Sequence, residues 1–162
     1  MHVYTDASTH NNISGLGYII TTNKHTEIGK SGMVINQADN NSAELSAILY
    51  AIEDTQYLLQ VNEKLIIFSD STYAINAIKN NSYRPKDEPL VKKIQNILEC
   101  TDSFLFWVKG HCQDGTVLSY FNKRADKMSK VIRKQYEKEQ KKIKREKNRK
   151  KVIQNIDNDF TY

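Results

Sequence analysis

Asp70 closes the run Leu65-Ile66-Ile67-Phe68-Ser69, and an aspartate at the end of an unbroken apolar stretch is a residue placed for chemistry. The run has the length and β-branched content of a strand buried on both faces, and helical spacing follows it from Thr72 to Ile78. Open α/β sheets form their ligand crevices at such strand ends, where side chains from several elements meet. Three further carboxylates could join it: Asp6 after Val3 and Tyr4, Glu44 in the first turn of a helix, and Asp126 near the start of the last helix of the globular part. Four converging carboxylates repel, and at about 4 Å and an effective dielectric near 20 each pair costs on the order of 4 kcal/mol. Divalent cations neutralise such a cluster and keep it ionised, and all-oxygen ligation favours Mg²⁺ or Mn²⁺ over zinc. Cys100 and Cys112 show no metal-binding pair pattern, so reduced thiols and a cytoplasmic location are expected.

The elements that must position these groups can be read in order. A short strand carries Val3 to Ser8, and the polar stretch Thr9 to Ser14 reads as a turn. Gly15 to Thr22 and Glu27 to Ile35 read as strands joined by the Asn23-Lys24-His25 loop, completing an antiparallel meander. Asn40-Asn41-Ser42 offers cap residues for a helix whose apolar face holds Leu45, Ile48, Leu49, Ile52, Leu58 and Leu59. After the strand that ends at Ser69 come a helix from Thr72 to Lys79, a break at Asn80 to Pro85, and a helix started by Pro89. Phe104 to Val108 is the fifth strand, with Trp107 and its neighbouring phenylalanines expected in the core, and a glycine-containing loop to about Tyr120 leads to the helix of Asp126. The order β-β-β-α-β-α-α-β-α predicts an α/β fold, a mixed five-stranded sheet with helices on both faces.

The charge divides the chain. Residues 1–129 carry 12 Lys+Arg against 14 Asp+Glu, whereas 130–151 carry 12 against 3, so the overall +5 belongs to a basic C-terminal helical extension. The domain reading is therefore 1–130 for the globular part and 131–162 for the extension. Glu137 with Lys141 and Glu146 with Lys150 have helix-stabilising spacing, and residues 152–162 lack a period and are expected to be disordered. The extension is either a solvated helix or an arm that contacts nucleic acid. Neither an export signal nor a membrane span is indicated, and a monomer is expected.

Taken together, Asp6 with Ser8, Asn40-Asn41-Ser42-Ala43-Glu44, Ser69-Asp70-Ser71, Trp107-Val108-Lys109-Gly110-His111 and Asn122-Lys123-Arg124-Ala125-Asp126 resemble the type I ribonuclease H family, in its order, over about residues 1–130. The resemblance implies the ribonuclease H-like fold and an endonuclease that cleaves the RNA strand of RNA–DNA hybrids, leaving 5′-phosphate and 3′-hydroxyl ends. It implies two Mg²⁺ or Mn²⁺ ions, one between Asp6 and Asp126 on the attacking water and one among Asp6, Glu44 and Asp70 on the leaving oxygen. His111 matches the family's mobile catalytic histidine, whose ordinary pKa suits proton transfer or product release. Ser8, Asn12, Asn40, Asn41, Ser71 and Thr72 fall where the hybrid would be gripped, the amides being able to donate to and accept from a 2′-hydroxyl.

The sequence departs from the family at Ala7, Asp39 and Thr72, and it has no basic handle between Asp70 and His111. These changes support an alternative, a nucleic-acid-binding protein of the same fold with weak or no nuclease activity. A resolvase or transposase-like nuclease is disfavoured by the asparagine pair and Lys109-Gly110-His111.

Overall fold

Alternation along β1 (His2–His10) builds the two faces of the sheet. Val3 packs with the helices of one face and Tyr4, its neighbour, with the last helix on the other, both fully buried. A computed structural model describes residues 1–36, 39–59, 63–101, 103–110 and 115–159, with side chains through residue 149. The remaining elements are β2 (Ile13–Thr21), β3 (Glu27–Ile35), α1 (Asn40–Thr55), β4 (Ile66–Ser69), α2 (Thr72–Asn80), α3 (Glu88–Cys100), β5 (Phe104–Trp107) and α4 (Val117–Asp159). The sheet order is β3-β2-β1-β4-β5. β1 runs antiparallel to β2 and parallel to β4, and β4 runs parallel to β5. The expected mixed sheet and element order are therefore present.

The larger core lies between the sheet and α1 to α3, where Leu45, Ile48 and Ile52 of α1 meet Val3, Ile67 and Leu105. Burying each such side chain contributes about 1.5–3 kcal/mol. On the other face α4 covers β1, β2 and β3, with Phe121 and Ala125 against Tyr4, Ile19 and Phe68. α4 reaches this close because β2 has glycine at position 17: a Cβ there would stand 2.6 Å from the Ser129 backbone nitrogen.

Several local expectations are corrected. β1 does not stop at Ser8 but runs on to His10, because Asn11 and Asn12 alone, and not all of Thr9 to Ser14, make the turn, with φ of 48° and 59°. Two left-handed residues suffice for a two-residue hairpin, and asparagine tolerates that conformation. Asp39, rather than residues 40–42, caps α1: its carboxylate accepts from the Asn41 and Ser42 backbone amides. That helix ends at Thr55 and passes into a 3₁₀ turn over Gln56–Leu58, so Leu58 is exposed instead of lying on the helix face.

Phe104, Phe106 and Trp107 are exposed, and only Leu105 of β5 is buried. β5 is an edge strand, beyond the reach of α4, so its aromatic residues lack the cover a central strand would have. α4 is one helix through Asp159, so 152–159 are helical and not disordered. Lys, Arg, Gln and Glu favour helix, and elongation from a docked segment needs no new nucleus. Glu137 turns back to Arg133 (2.6 Å) and to His10 (3.0 Å) instead of forward to Lys141. No helix among the described residues is long and apolar enough to cross a membrane.

Candidate active site

Asp70 follows β4 directly, Asp6 lies mid-strand on the adjacent β1, and Glu44 points from the first turns of α1. Ligand atoms of Asp6, Glu44 and Asp70 lie within 4.8 Å of one another. Asp126 of α4 lines the same cavity, which has a volume of about 520 Å³. The four acids meet because parallel pairing of β1 with β4 sets Thr5 beside Ser69, and because α1 and α4 begin or pass at that end of the sheet.

Burial pushes the Asp6 carboxyl up to about 7; the Ser129 hydroxyl opposes the shift, while Asp70 and Asp126 add to it. Burial also drives Glu44 well above the usual carboxylate range, followed by repulsion from Asp6 and Asp70. The Ser129 hydroxyl donates to Asp6 at 2.5 Å and sits 2.9 Å from the Asp126 carbonyl, tying both acids to one turn of α4. Asn122 donates its Nδ2 to Asp70 at 3.0 Å, and the Trp107 indole N–H donates to the Asp70 carbonyl at 3.1 Å. Gly110 backs onto the same carboxylate, for a Cβ there would stand 2.6 Å from Asp70 Oδ2. The rim is not wholly acidic, because Lys130 pairs with Asp126 at 2.5 Å.

A divalent cation fits this centre. Glu44 Oε2 is buried without a hydrogen-bond partner, and an unsatisfied buried carboxylate oxygen is costly until a cation or proton meets it. The donors are all oxygen, the set suited to hard cations.

The ribonuclease H family model matches residues 1–134, 134 of the chain's 162 residues. The chain belongs to the ribonuclease H family. As a ribonuclease H it joins a family of divalent-metal-dependent enzymes, and its acidic triad is the feature such enzymes need. Its fold is shared with solved structures of low identity. A ribonuclease H1 isolated from compost by a metagenomic approach superposes with a TM-score of 0.71 at 22% identity, covering 83% of this chain and 96% of that one. The N-terminal RNase H domain of a Mycobacterium tuberculosis protein gives 0.70 at 18%, covering 85% and 96%. Ribonuclease H1 of the halophilic archaeon Halobacterium salinarum gives 0.67 at 18%, covering 81% and 95%.

Of the residues singled out for substrate contact, Ser8, Asn40, Asn41, Ser71 and Thr72 line the acidic cavity of this ribonuclease H. Two of them also have local work: Ser71 caps α2 by accepting from the Ala74 amide, and Ser8 accepts from Arg133 Nε at 3.1 Å. Asn12 does not line the cavity; it forms the β1–β2 turn. His111 and Cys112 lie outside the described residues, and Cys100 is a free, exposed thiol.

Asp39 is already engaged within the fold, because Arg84 and Lys86 both pair with it. Arg84, held also by Asp87 at 2.7 Å, keeps the Asp39 carboxyl far below the usual range. Sequence reasoning missed Ser129, Lys130 and the Arg84–Asp87 pair. Ser129 had one signal, its place one turn after Asp126 on the same helix face.

Proposed function

We propose that this ribonuclease H is an endonuclease that hydrolyses the RNA strand of RNA–DNA hybrids with two divalent cations, Mg²⁺ or Mn²⁺, leaving 5′-phosphate and 3′-hydroxyl ends. The observation that carries the reading is the convergence of Asp6, Glu44 and Asp70 within 4.8 Å, with one Glu44 oxygen buried and unpartnered. A solved relative in fold, LC11 ribonuclease H1, is in complex with an RNA/DNA hybrid, at 21% identity and a TM-score of 0.70 over 83% of this chain and 97% of that one.

Asp6, Glu44, Asp70 and Asp126 are the residues that would hold the cations. When bound, the ions supply charge for the attacked phosphate, a water of lowered pKa and stabilisation of the leaving 3′ oxygen. The chain's own side chains do the positioning. Ser129 holds Asp6 in its rotamer, Asn122 and Gly110 fix Asp70 from two sides, and the Asn40 side-chain amide donates to Glu44 Oε1 at 3.5 Å. Asn40 and Asn41, at the cavity mouth, offer amides that can donate to and accept from a 2′-hydroxyl, the group that marks the RNA strand. His111 is assigned proton transfer or product release on its match to the family.

The test is cleavage of labelled RNA–DNA hybrid, double-stranded RNA and duplex DNA with Mg²⁺ or Mn²⁺, by the native chain and by Asp70→Asn. Hybrid-only cleavage, lost in the variant and carrying 5′-phosphate ends, is the expected result. Binding without cleavage under both metals would overturn the reading in favour of a binding protein of this fold.

A further inference from the structure

Half of the twelve Lys and Arg of residues 130–151 fall, with Lys127, on one face of α4. Lys127, Lys130, Lys134, Lys138, Lys141, Arg145 and Arg149 follow at steps of three or four residues, which places them on one face of a helix. Glu139 and Glu146 fall out of that register, and Glu137 is engaged by Arg133 and His10. Lys130 pairs with Asp126, and the other six cations make no ion pair among the described residues. All six are exposed.

A helix that needed only solubility would mix its charges. Opposite pairs four residues apart gain about 0.2–0.5 kcal/mol, and like pairs lose a similar amount. Lys134 with Lys138, Lys141 with Arg145 and Arg145 with Arg149 are all like pairs at that spacing, so this face sacrifices helix stability to concentrate positive charge. The stripe is also anchored at one end. Lys130 lines the acidic cavity, and Arg133 to Ser8 and Glu137 to His10 dock the following turns on β1. At 1.5 Å per residue the 22 steps from Lys127 to Arg149 span about 33 Å, close to one turn of a nucleic-acid duplex.

We propose that this face of α4 is a track for the phosphate backbone of the nucleic acid whose scissile bond lies at the acidic centre. It rests on the reading of that centre as a hybrid nuclease for the identity of the duplex, and on charge geometry alone for the binding. A globular part with net −2 has little of its own to hold a polyanion; the stripe provides the grip, starting at the cavity and leading away from it. Each phosphate neutralised contributes about 0.9 to the log–log salt slope on duplex DNA.

The experiment measures binding of the full chain to a labelled RNA–DNA hybrid and to duplex DNA, in EDTA, from 50 to 200 mM salt. The stripe double Lys134→Gln with Lys138→Gln is compared with an off-stripe double of equal charge, Lys144→Gln with Lys147→Gln. The stripe double should flatten the slope by about 1.8, so that its loss of affinity over that salt range is roughly 12-fold smaller than the native loss, and the off-stripe double by less than half as much. Equal slopes for the two doubles would overturn the proposal, and would do so even if the native chain cleaves hybrid. Stripe-dependent slopes on both duplexes without hybrid cleavage would leave the track standing and remove the nuclease reading. Equal slopes together with stripe-dependent retention on phosphatidylserine vesicles would assign the face to a membrane surface instead, and would also overturn it.

Discussion

Replacing Gly17 by alanine tests whether the approach of α4 to β2 sets the acidic centre. Gly17 pairs with Asp6 across the β1–β2 ladder, and a Cβ at Gly17 would meet Ser129 N at 2.6 Å, Ala125 O at 2.9 Å and Met128 Cβ at 3.0 Å. Ordinary contact distances are about 3.5–4.0 Å, so α4 must retreat by about 1 Å, and two of the three obstacles are backbone that no rotamer change can clear. Overpacking of this kind costs about 1–3 kcal/mol. The same shift would lengthen the 2.5 Å contact of Ser129 with Asp6 toward the limit of a hydrogen bond and carry Asp126 outward with it. A misplacement of that size can cost on the order of 100-fold in rate. Urea unfolding and single-turnover hybrid cleavage measure the two effects. Gly29→Ala is the control, because its Cβ would meet only the Ile20 side chain, Cδ1 at 3.3 Å and Cβ at 3.9 Å, and no backbone. If Gly17→Ala matched Gly29→Ala in both stability and rate, the link from the glycine through α4 to the carboxylates would be wrong.

Two further outcomes follow from buried charge. Glu44→Gln removes a buried acid that Asp6 and Asp70 repel, so the metal-free variant should unfold at a urea concentration at least as high as the native chain. Its midpoint should respond less to added Mg²⁺, since ligand stabilisation grows with the logarithm of ligand concentration over Kd and the variant binds the ion more weakly; a native-sized metal response would remove Glu44 from the cation site. Arg84→Ala should cost about 2 kcal/mol at pH 7, less than the 3–5 of a fully buried pair because Arg84 is 35% exposed. Burial alone would raise Asp87, but hydrogen bonds from Ser42, Tyr73 and Arg84 outweigh it, and Arg84 holds Asp39 low. Both carboxyls therefore contribute stability above about pH 4, the unfolded value, and lose it as pH falls through their folded values. The gap between native and Arg84→Ala midpoints should accordingly shrink below pH 4, and a gap constant from pH 7 to 2 would refute the pairing.

What was legible in the sequence is what local pattern controls. The apolar run before Asp70, the β3 limits and the α1 face around Leu45 and Ile48 depend on neighbours in the chain, and each appears where the pattern put it. Ser129 had only its place one turn after Asp126 to mark it, because a serine in a lysine-rich helix gains its role only when Gly17 lets that helix approach Asp6. The Arg84 network joins residues 45 apart across what reads as a loop break, so nothing near Arg84 announces Asp39. Phe104, Phe106 and Trp107 misled for a related reason: aromatic content signals burial, but exposure here follows from β5 being at the sheet edge, which strand order alone decides.

The arrangement on α4 answers a conflict inherent in the chemistry. An acidic centre that repels itself also repels the phosphate it must act on, and cations placed among the carboxylates would neutralise them and compete with the metal. Lys130, on Asp126 at 2.5 Å, is the one stripe cation that close. Lys134 is eight residues beyond Asp126, about 12 Å along the helix, and physiological salt screens exposed charges beyond about 8 Å. From Lys134 onward, then, the stripe can attract a backbone without lowering the charge of the centre. Because the same rigid helix carries Asp126, Ser129 and the stripe, a phosphate held at Lys138 or Lys141 presents the strand upstream or downstream at a raised effective concentration to the carboxylates. Moving the stripe off that helix, onto a flexible linker after residue 137, would keep the charge and lose the register, so binding would survive better than cleavage.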